Sequence, residues 1–203
     1  THNVKRFVVE KPSGLAYLPG QAVDISINKP GLQDELRPFT FTSVPGSNYL
    51  EFIIKIYSDH DGVTKKLATI NPGDELILHD IFGAITFRGP GLFIAGGAGI
   101  TPFISIFRQL KRENRLGGNT LLFANRTDAD IILKEELSAL LGKRFINVIE
   151  GLAGNRINSE LLQKHIGPEV HYYYICGPDR FTQAMVENLL QSGVNQSQIV
   201  IEQ

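Results

Sequence analysis

The 203-residue sequence predicts two domains: a small antiparallel β-barrel over residues 1–89, then a parallel, doubly wound α/β domain over 90–203. Three observations carry this reading. The first half shows short strands of period-two texture broken by Gly/Pro turns. The second half alternates apolar strands with helical segments. Between them, Leu92–Ala95 runs into the turn Gly96-Gly97-Ala98-Gly99-Ile100-Thr101-Pro102, after which the chain resumes at helical spacing.

In the first half, Val4–Val9 is followed by the turn Lys11-Pro12-Ser13-Gly14, and Pro19-Gly20 turns again into Gln21–Ile27, which alternates apolar and polar residues. Arg37–Ser43 and Tyr49–Tyr57 read as further strands, Val63–Ile70 as a short helix. Asn71-Pro72-Gly73-Asp74 turns into Glu75–His79, and Ala84–Phe87 closes the set. Arg88–Gly91 is the boundary. Beyond it the strands Leu92–Ala95, Thr120–Ala124, Arg144–Ile149, Tyr172–Cys176 and Ile199–Ile201 alternate with helices near Pro102–Asn114, Leu133–Leu141, Ser159–Lys164 and Asp179–Gln191. That pattern predicts right-handed βαβ crossovers and a five-stranded parallel sheet.

Composition narrows the function. The chain is 42% hydrophobic and 20% charged, with a formal net charge of −1, so no overall charge recruits nucleic acid or an anionic membrane. No apolar run approaches the roughly 18 residues of a membrane span. One cysteine, Cys176, excludes an intrachain disulfide framework and any Cys₄ metal or cluster site, and fits a reduced, cytoplasmic setting. The five histidines show no metal-type clustering. The chain begins at Thr1 rather than Met, so the lack of a leader sequence carries no information.

The turn at 96–102 is the chemically informative motif. A strand–turn–helix junction leaves unpaired N–H groups at a positive helix end, which suits a pyrophosphate, and glycines let a ligand approach the backbone. It departs from the usual dinucleotide fingerprint by placing Pro102 where a third glycine is normal. With strand order 3-2-1-4-5, the first and fourth strands of the sheet are neighbours, so Cys176-Gly177-Pro178 faces the glycine turn.

Four segments then resemble, in order, the ferredoxin–NADP⁺ reductase-like family. Leu18-Pro19-Gly20-Gln21 is similar to its early Pro-Gly-Gln turn, and Arg37-Pro38-Phe39-Thr40-Phe41-Thr42-Ser43 to its Arg-x-Tyr-Ser/Thr-x-x-Ser flavin motif. Gly96–Pro102 resembles its nicotinamide turn, where proline is normal, and Cys176-Gly177-Pro178 its late Cys-Gly-Pro loop. The resemblance implies a six-stranded antiparallel Greek-key barrel that binds FAD, followed by a five-stranded NAD(P)-binding domain. It implies that Arg37 pairs with the flavin phosphates and that Phe39, lacking the family's tyrosine hydroxyl, packs on the flavin. Thr40 would face the flavin N5, flanked in the motif by Pro38 and Ser43. Ile53, Lys55 and Tyr57 would form the second flavin-contacting strand, and Gly62, Val63 and Thr64 would offer N–H groups to the pyrophosphate. Gly96, Gly97, Ala98, Gly99, Thr101 and Pro102 would hold the nicotinamide dinucleotide, with Cys176, Gly177 and Pro178 bordering its ring. Thr40 and Cys176 carry the catalytic expectation.

The activity so implied is hydride transfer from NAD(P)H to FAD, then single electrons to an acceptor protein such as flavodoxin, ferredoxin or an oxygenase component. A free flavin reductase and a non-catalytic electron-transfer module are the alternatives. Phe123–Leu133 is similar to the NADH-using branch, although Arg126 could instead pair with a 2′-phosphate; NADH is favoured over NADPH. The expected protein is a cytoplasmic monomer without a metal.

Overall fold

A computed structural model describes residues 3–56, 62–83, 85–151 and 155–202. In the first half, β1 (Val4–Glu10) pairs antiparallel with β4 (Tyr49–Lys55). A second sheet has the order β3 (Arg37–Thr40), β2 (Ala22–Ile27), β5 (Leu76–Phe82). The chain passes from one sheet to the other just after β3. Phe41 donates its N–H to the Gln21 carbonyl, and the next residue, Thr42, donates to the Glu51 carbonyl. This corner ends β3 before the expected Ser43. The barrel core it encloses holds Val23, Ile25, Phe41, Leu50, Phe52 and Ile54, with Tyr17 stacked on Phe41 at 4.0 Å. The short helix α1 (Val63–Leu67) seals one end with the buried side chains of Val63 and Leu67.

The sixth barrel strand, expected at Ala84–Phe87, is not seen as such. Ala84 lies outside the described residues, and Ile85–Phe87 join no strand. Ile85 is instead buried with the residues of the second half, and Phe87 lies 6.1 Å from the Tyr174 ring. Docking against the α/β domain replaces ladder pairing there.

The second half is a parallel sheet in the order β10 (Ile199–Ile201), β9 (Tyr172–Cys176), β6 (Gly91–Gly96), β7 (Thr120–Asn125), β8 (Phe145–Ile149). Read from β8, this is the expected 3-2-1-4-5. Both faces are covered, so the strands are apolar on both sides. Phe93 and Ala95 pack under α2 (Thr101–Arg112) and α3 (Lys134–Leu141). Leu92 and Ile94 pack with α4 (Ser159–Gln163) and α5 (Asp179–Gln191) on the opposite face. The segment joining the halves is pinned: the Tyr174 hydroxyl accepts from the N–H groups of Arg88 and Gly89 at 2.9 and 3.1 Å, and donates to the Gly89 carbonyl at 2.8 Å.

β4 is shared between the two cores. Leu50, Phe52 and Ile54 point into the barrel, whereas Ile53 is buried among the residues of the α/β half. Glu51 and Lys55 share that second face by the period-two alternation of a strand.

Candidate active site

A cavity of about 1050 Å³ opens where the carboxyl ends of β6, β7 and β9 meet the barrel. That is the crevice in which an open α/β sheet binds its ligand, and its size is at the upper end for ligand pockets. The sheet side contributes Gly96, Gly97, Ala98, Gly99, Arg126, Cys176, Gly177 and Pro178; the barrel contributes Asn3, Lys55 and Ile56.

The two loops touch, as the topology requires. A Cβ on Gly99 would overlap the Cys176 carbonyl and come within 2.6 Å of the Gly177 nitrogen. Gly97 has the opposite surroundings: φ is +53°, and among the described residues no atom beyond its own chain neighbours and local helix backbone lies within 4 Å of where a Cβ would stand. Its peptide face is therefore open toward the cavity, a cradle that a pyrophosphate fits. Phe181 supports both loops from α5, lying 3.0 Å from the Cβ position of Gly96 and 2.7 Å from that of Gly177. Thr101 is the first residue of α2, directly after the turn. Its hydroxyl donates to the Ala98 carbonyl at 3.1 Å, closing the turn, and neither Thr101 nor the buried Pro102 lines the cavity. Pro102 lies in the first turn of α2, where a missing N–H costs nothing.

Cys176 is half-buried. Burial pushes its thiol up to about 12, the Glu202 carboxylate adds to the rise, and the Gly177 N–H opposes it weakly. The group at neutral pH is a thiol, so it shapes the cavity wall and is no thiolate nucleophile.

Sequence reasoning did not single out Asn3, Ile56, Ala124, Asn125, Asp130, Glu150 or Phe181, all of which line the cavity. Asn125 is 4% exposed, and neither polar atom of its amide has a hydrogen-bond partner among the described residues. Such an orphan is costly unless a ligand or water completes it. Its position at the last residue of a strand in the Phe123–Leu133 stretch was the available clue. Asp130 caps its own turn, accepting from the Thr127 N–H at 3.1 Å and hydroxyl at 2.7 Å.

Of the residues expected to hold a flavin, Lys55 lines this cavity and the others lie elsewhere on the barrel or outside the described residues. Arg37 and Pro38 are exposed on β3, with Phe39 and Thr40 half-buried beside them, and Arg37 donates to the Leu36 carbonyl at 2.6 Å. Ile53 is buried in the seam between the halves. Gly62 precedes α1, Val63 is buried in the barrel core and Thr64 follows on the helix. Tyr57 lies outside the described residues. Ser43 is buried, and its hydroxyl is engaged by Tyr17 at 2.9 Å and by the Glu51 N–H at 3.0 Å. It supports the barrel from within.

The fold and the cavity define a two-domain dinucleotide-binding protein with its site on the domain seam. Comparison with known proteins agrees. Residues 1–77 match the description of an FAD-binding domain, and residues 93–187 that of an oxidoreductase NAD-binding domain. Over 213 aligned residues the chain is 30% identical to NADH-cytochrome b5 reductase 1 of Aspergillus terreus, covering 91% of this chain and 71% of that protein. The NADH-cytochrome b5 reductase 1 of Coccidioides immitis is 34% identical over 69% of this chain, which is only half of its own length. A ferredoxin NADP⁺ reductase from Neisseria gonorrhoeae, solved with bound FAD and NADP, superposes with a TM-score of 0.83 at 22% identity, covering 99% of this chain and 92% of that one. The chain belongs to the ferredoxin–NADP⁺ reductase-like family of flavoprotein oxidoreductases, with an FAD-binding and an NAD-binding domain.

Proposed function

We propose that the chain is an NADH-dependent FAD oxidoreductase that delivers electrons to a separate acceptor protein. The observation that carries this reading is the seam cavity, where the open peptide face of Gly97 and the Cys176–Pro178 loop meet Lys55 of the barrel. Bound FAD supplies the conversion of a two-electron hydride into single electrons. The chain's own residues bind, orient and exclude water. The glycine turn offers N–H groups to the dinucleotide pyrophosphate, and the neutral Cys176 thiol, in the cavity wall, limits how a nicotinamide ring can lie. Arg37, exposed on β3, is available to the flavin phosphates, with Phe39 and Thr40 next to it for the ring system. Asp130 places a carboxylate in the cavity near Arg126, which favours the 2′-hydroxyl of NADH over a 2′-phosphate.

The relatives' name adds a cytochrome b5 to the acceptors that the resemblance implied, a flavodoxin, a ferredoxin or an oxygenase component. Anaerobic addition of NADH to the purified yellow protein should bleach the flavin absorbance, and oxidised cytochrome b5 should then restore it. A colourless protein that reduces only added flavin would point to a free flavin reductase. Absence of both flavin and NADH oxidation would overturn the proposal.

A further inference from the structure

We propose that Arg108 is a positioning residue for hydride transfer: from the middle of α2 it fixes the barrel in register with the glycine turn at the head of the same helix. The inference rests on reading the cavity as a flavin–nicotinamide site. Arg108 forks in two directions. Its Nη1 donates to Glu51 Oε1 at 2.5 Å and to the Thr42 carbonyl at 2.8 Å, both in the barrel. Its Nε and Nη2 donate to the two carboxylate oxygens of Glu136 on α3, at 2.6 and 2.8 Å. The Glu51 side chain is 1% exposed and is further held by Arg6 Nε at 2.6 Å and the Thr42 hydroxyl at 2.8 Å.

Two stiff arms lead from this junction to the cavity. Along β4, Glu51, Ile53 and Lys55 occupy one face, and Lys55 lines the cavity, roughly 13 Å from Glu51 at the rise of a strand. Along α2, Arg108 lies two turns, roughly 10 Å, from Thr101, where the glycine turn ends. The rest of the seam is mainly apolar (Ile53 and Ile85 among the α/β core residues); its further bonds among the described residues include the Gly20 N–H to Ser105 Oγ at 2.9 Å and those of the Tyr174 hydroxyl with Arg88 and Gly89. Apolar contact is non-directional and tolerates sliding. A planar guanidinium forked between carboxylates is not tolerant. Buried ion pairs contribute little net stability against an apolar replacement, so what this one adds is the relative placement of the two halves.

The test compares wild type, Arg108→Lys, and the double variant Glu51→Leu with Arg108→Met. The double variant removes both buried charges and leaves Arg6 and Glu136 to solvent. In stopped-flow bleaching at saturating NADH, the hydride-transfer rate should fall about tenfold in Arg108→Lys and towards a hundredfold in the double variant, with KM for NADH and flavin content held within about twofold. Calorimetry of the flavin-free proteins gives a readout independent of turnover: wild type should unfold in one transition, the double variant in two. An unchanged bleaching rate, or a loss of rate that only tracks loss of flavin, overturns the positioning role. Wild-type protein that NADH fails to bleach overturns the reading of the site itself, whatever the calorimetry shows.

Discussion

Gly99 and Cys176 stand so close that the α-carbon of one leaves no room for a side chain against the carbonyl of the other. Cys176 pairs in register with Ala95, so the contact joins the ends of two adjacent parallel strands and gives the cavity floor its shape. Gly99→Ala must push backbone against backbone, because the atoms it meets belong to Cys176 and Gly177 rather than to a flexible side chain. We expect the substitution to destabilise the protein by about 1–3 kcal/mol and to raise the Kd for NADH by about tenfold or more. Flavin content should be unchanged. Gly117→Ala, which meets no atom within 4 Å, is the control, with an expected change below about 0.5 kcal/mol. Equal effects from the two substitutions, in urea unfolding and NADH titration, would remove the loop contact as the cause.

Cys176 should be slow to alkylate. With the thiol at about 12 rather than 9.0, its thiolate fraction at pH 8 is lower by about a thousandfold, and alkylation follows the thiolate. Iodoacetamide should therefore label the native protein about a thousand times more slowly than the urea-unfolded chain, which mass spectrometry of quenched samples will measure. Labelling at comparable rates in both states would contradict the suppressed thiolate.

The fold was legible because both halves follow patterns that local sequence controls. Strands such as Leu92–Ala95, apolar on consecutive residues, announce a sheet covered on both faces, and the glycine turn marks where it ends. The segment Ile85–Phe87, which forms no strand among the described residues, departs from the pattern for a related reason. Ile85 and Phe87 have strand-like texture, but what buries them is the other domain, and a single-residue pattern cannot distinguish the two kinds of burial. Ser43 looks like a motif hydroxyl in sequence and is an interior hydrogen-bonding group in the structure. Asn125 and Phe181 were invisible for the opposite reason: their importance lies in what surrounds them, an unpartnered amide in one case and two glycines without side chains in the other.

Glu51 should make stability pH-dependent in the acid range. Burial by itself raises its carboxyl, but the hydrogen bond and charge of Arg108, with the bonds from Thr42 and Arg6, outweigh this and hold it below the ordinary 4.5. A folded-state value below the unfolded one means that the unfolded chain binds more protons there. The contribution is fully present above about pH 4.5 and is lost as pH falls through the folded value. Glu51→Gln should cost roughly 3 kcal/mol at pH 7 and flatten the acid limb of the stability curve. Urea titrations from pH 3 to pH 7 will read both effects, and parallel acid limbs in the two proteins would exclude Glu51 as their source.

The final prediction concerns nicotinamide choice. Asp130 and Arg126 both line the cavity at the end of β7, so a 2′-phosphate entering there meets one opposed and one favourable charge. Arg126 is exposed, and its attraction is screened by water and salt. Asp130 is half-buried and held in place by two bonds from Thr127, so its repulsion is the better-fixed of the two. Asp130→Asn removes the charge and keeps an oxygen to accept from Thr127. The ratio of kcat/KM for NADPH to that for NADH should rise by about tenfold, as expected when a like-charge contact is relieved, chiefly through a lower KM for NADPH. Arg126→Ala in the same assay should lower the NADPH value and leave that for NADH within about twofold. If Asp130→Asn instead weakens both nucleotides equally, the carboxylate acts only on the turn it caps.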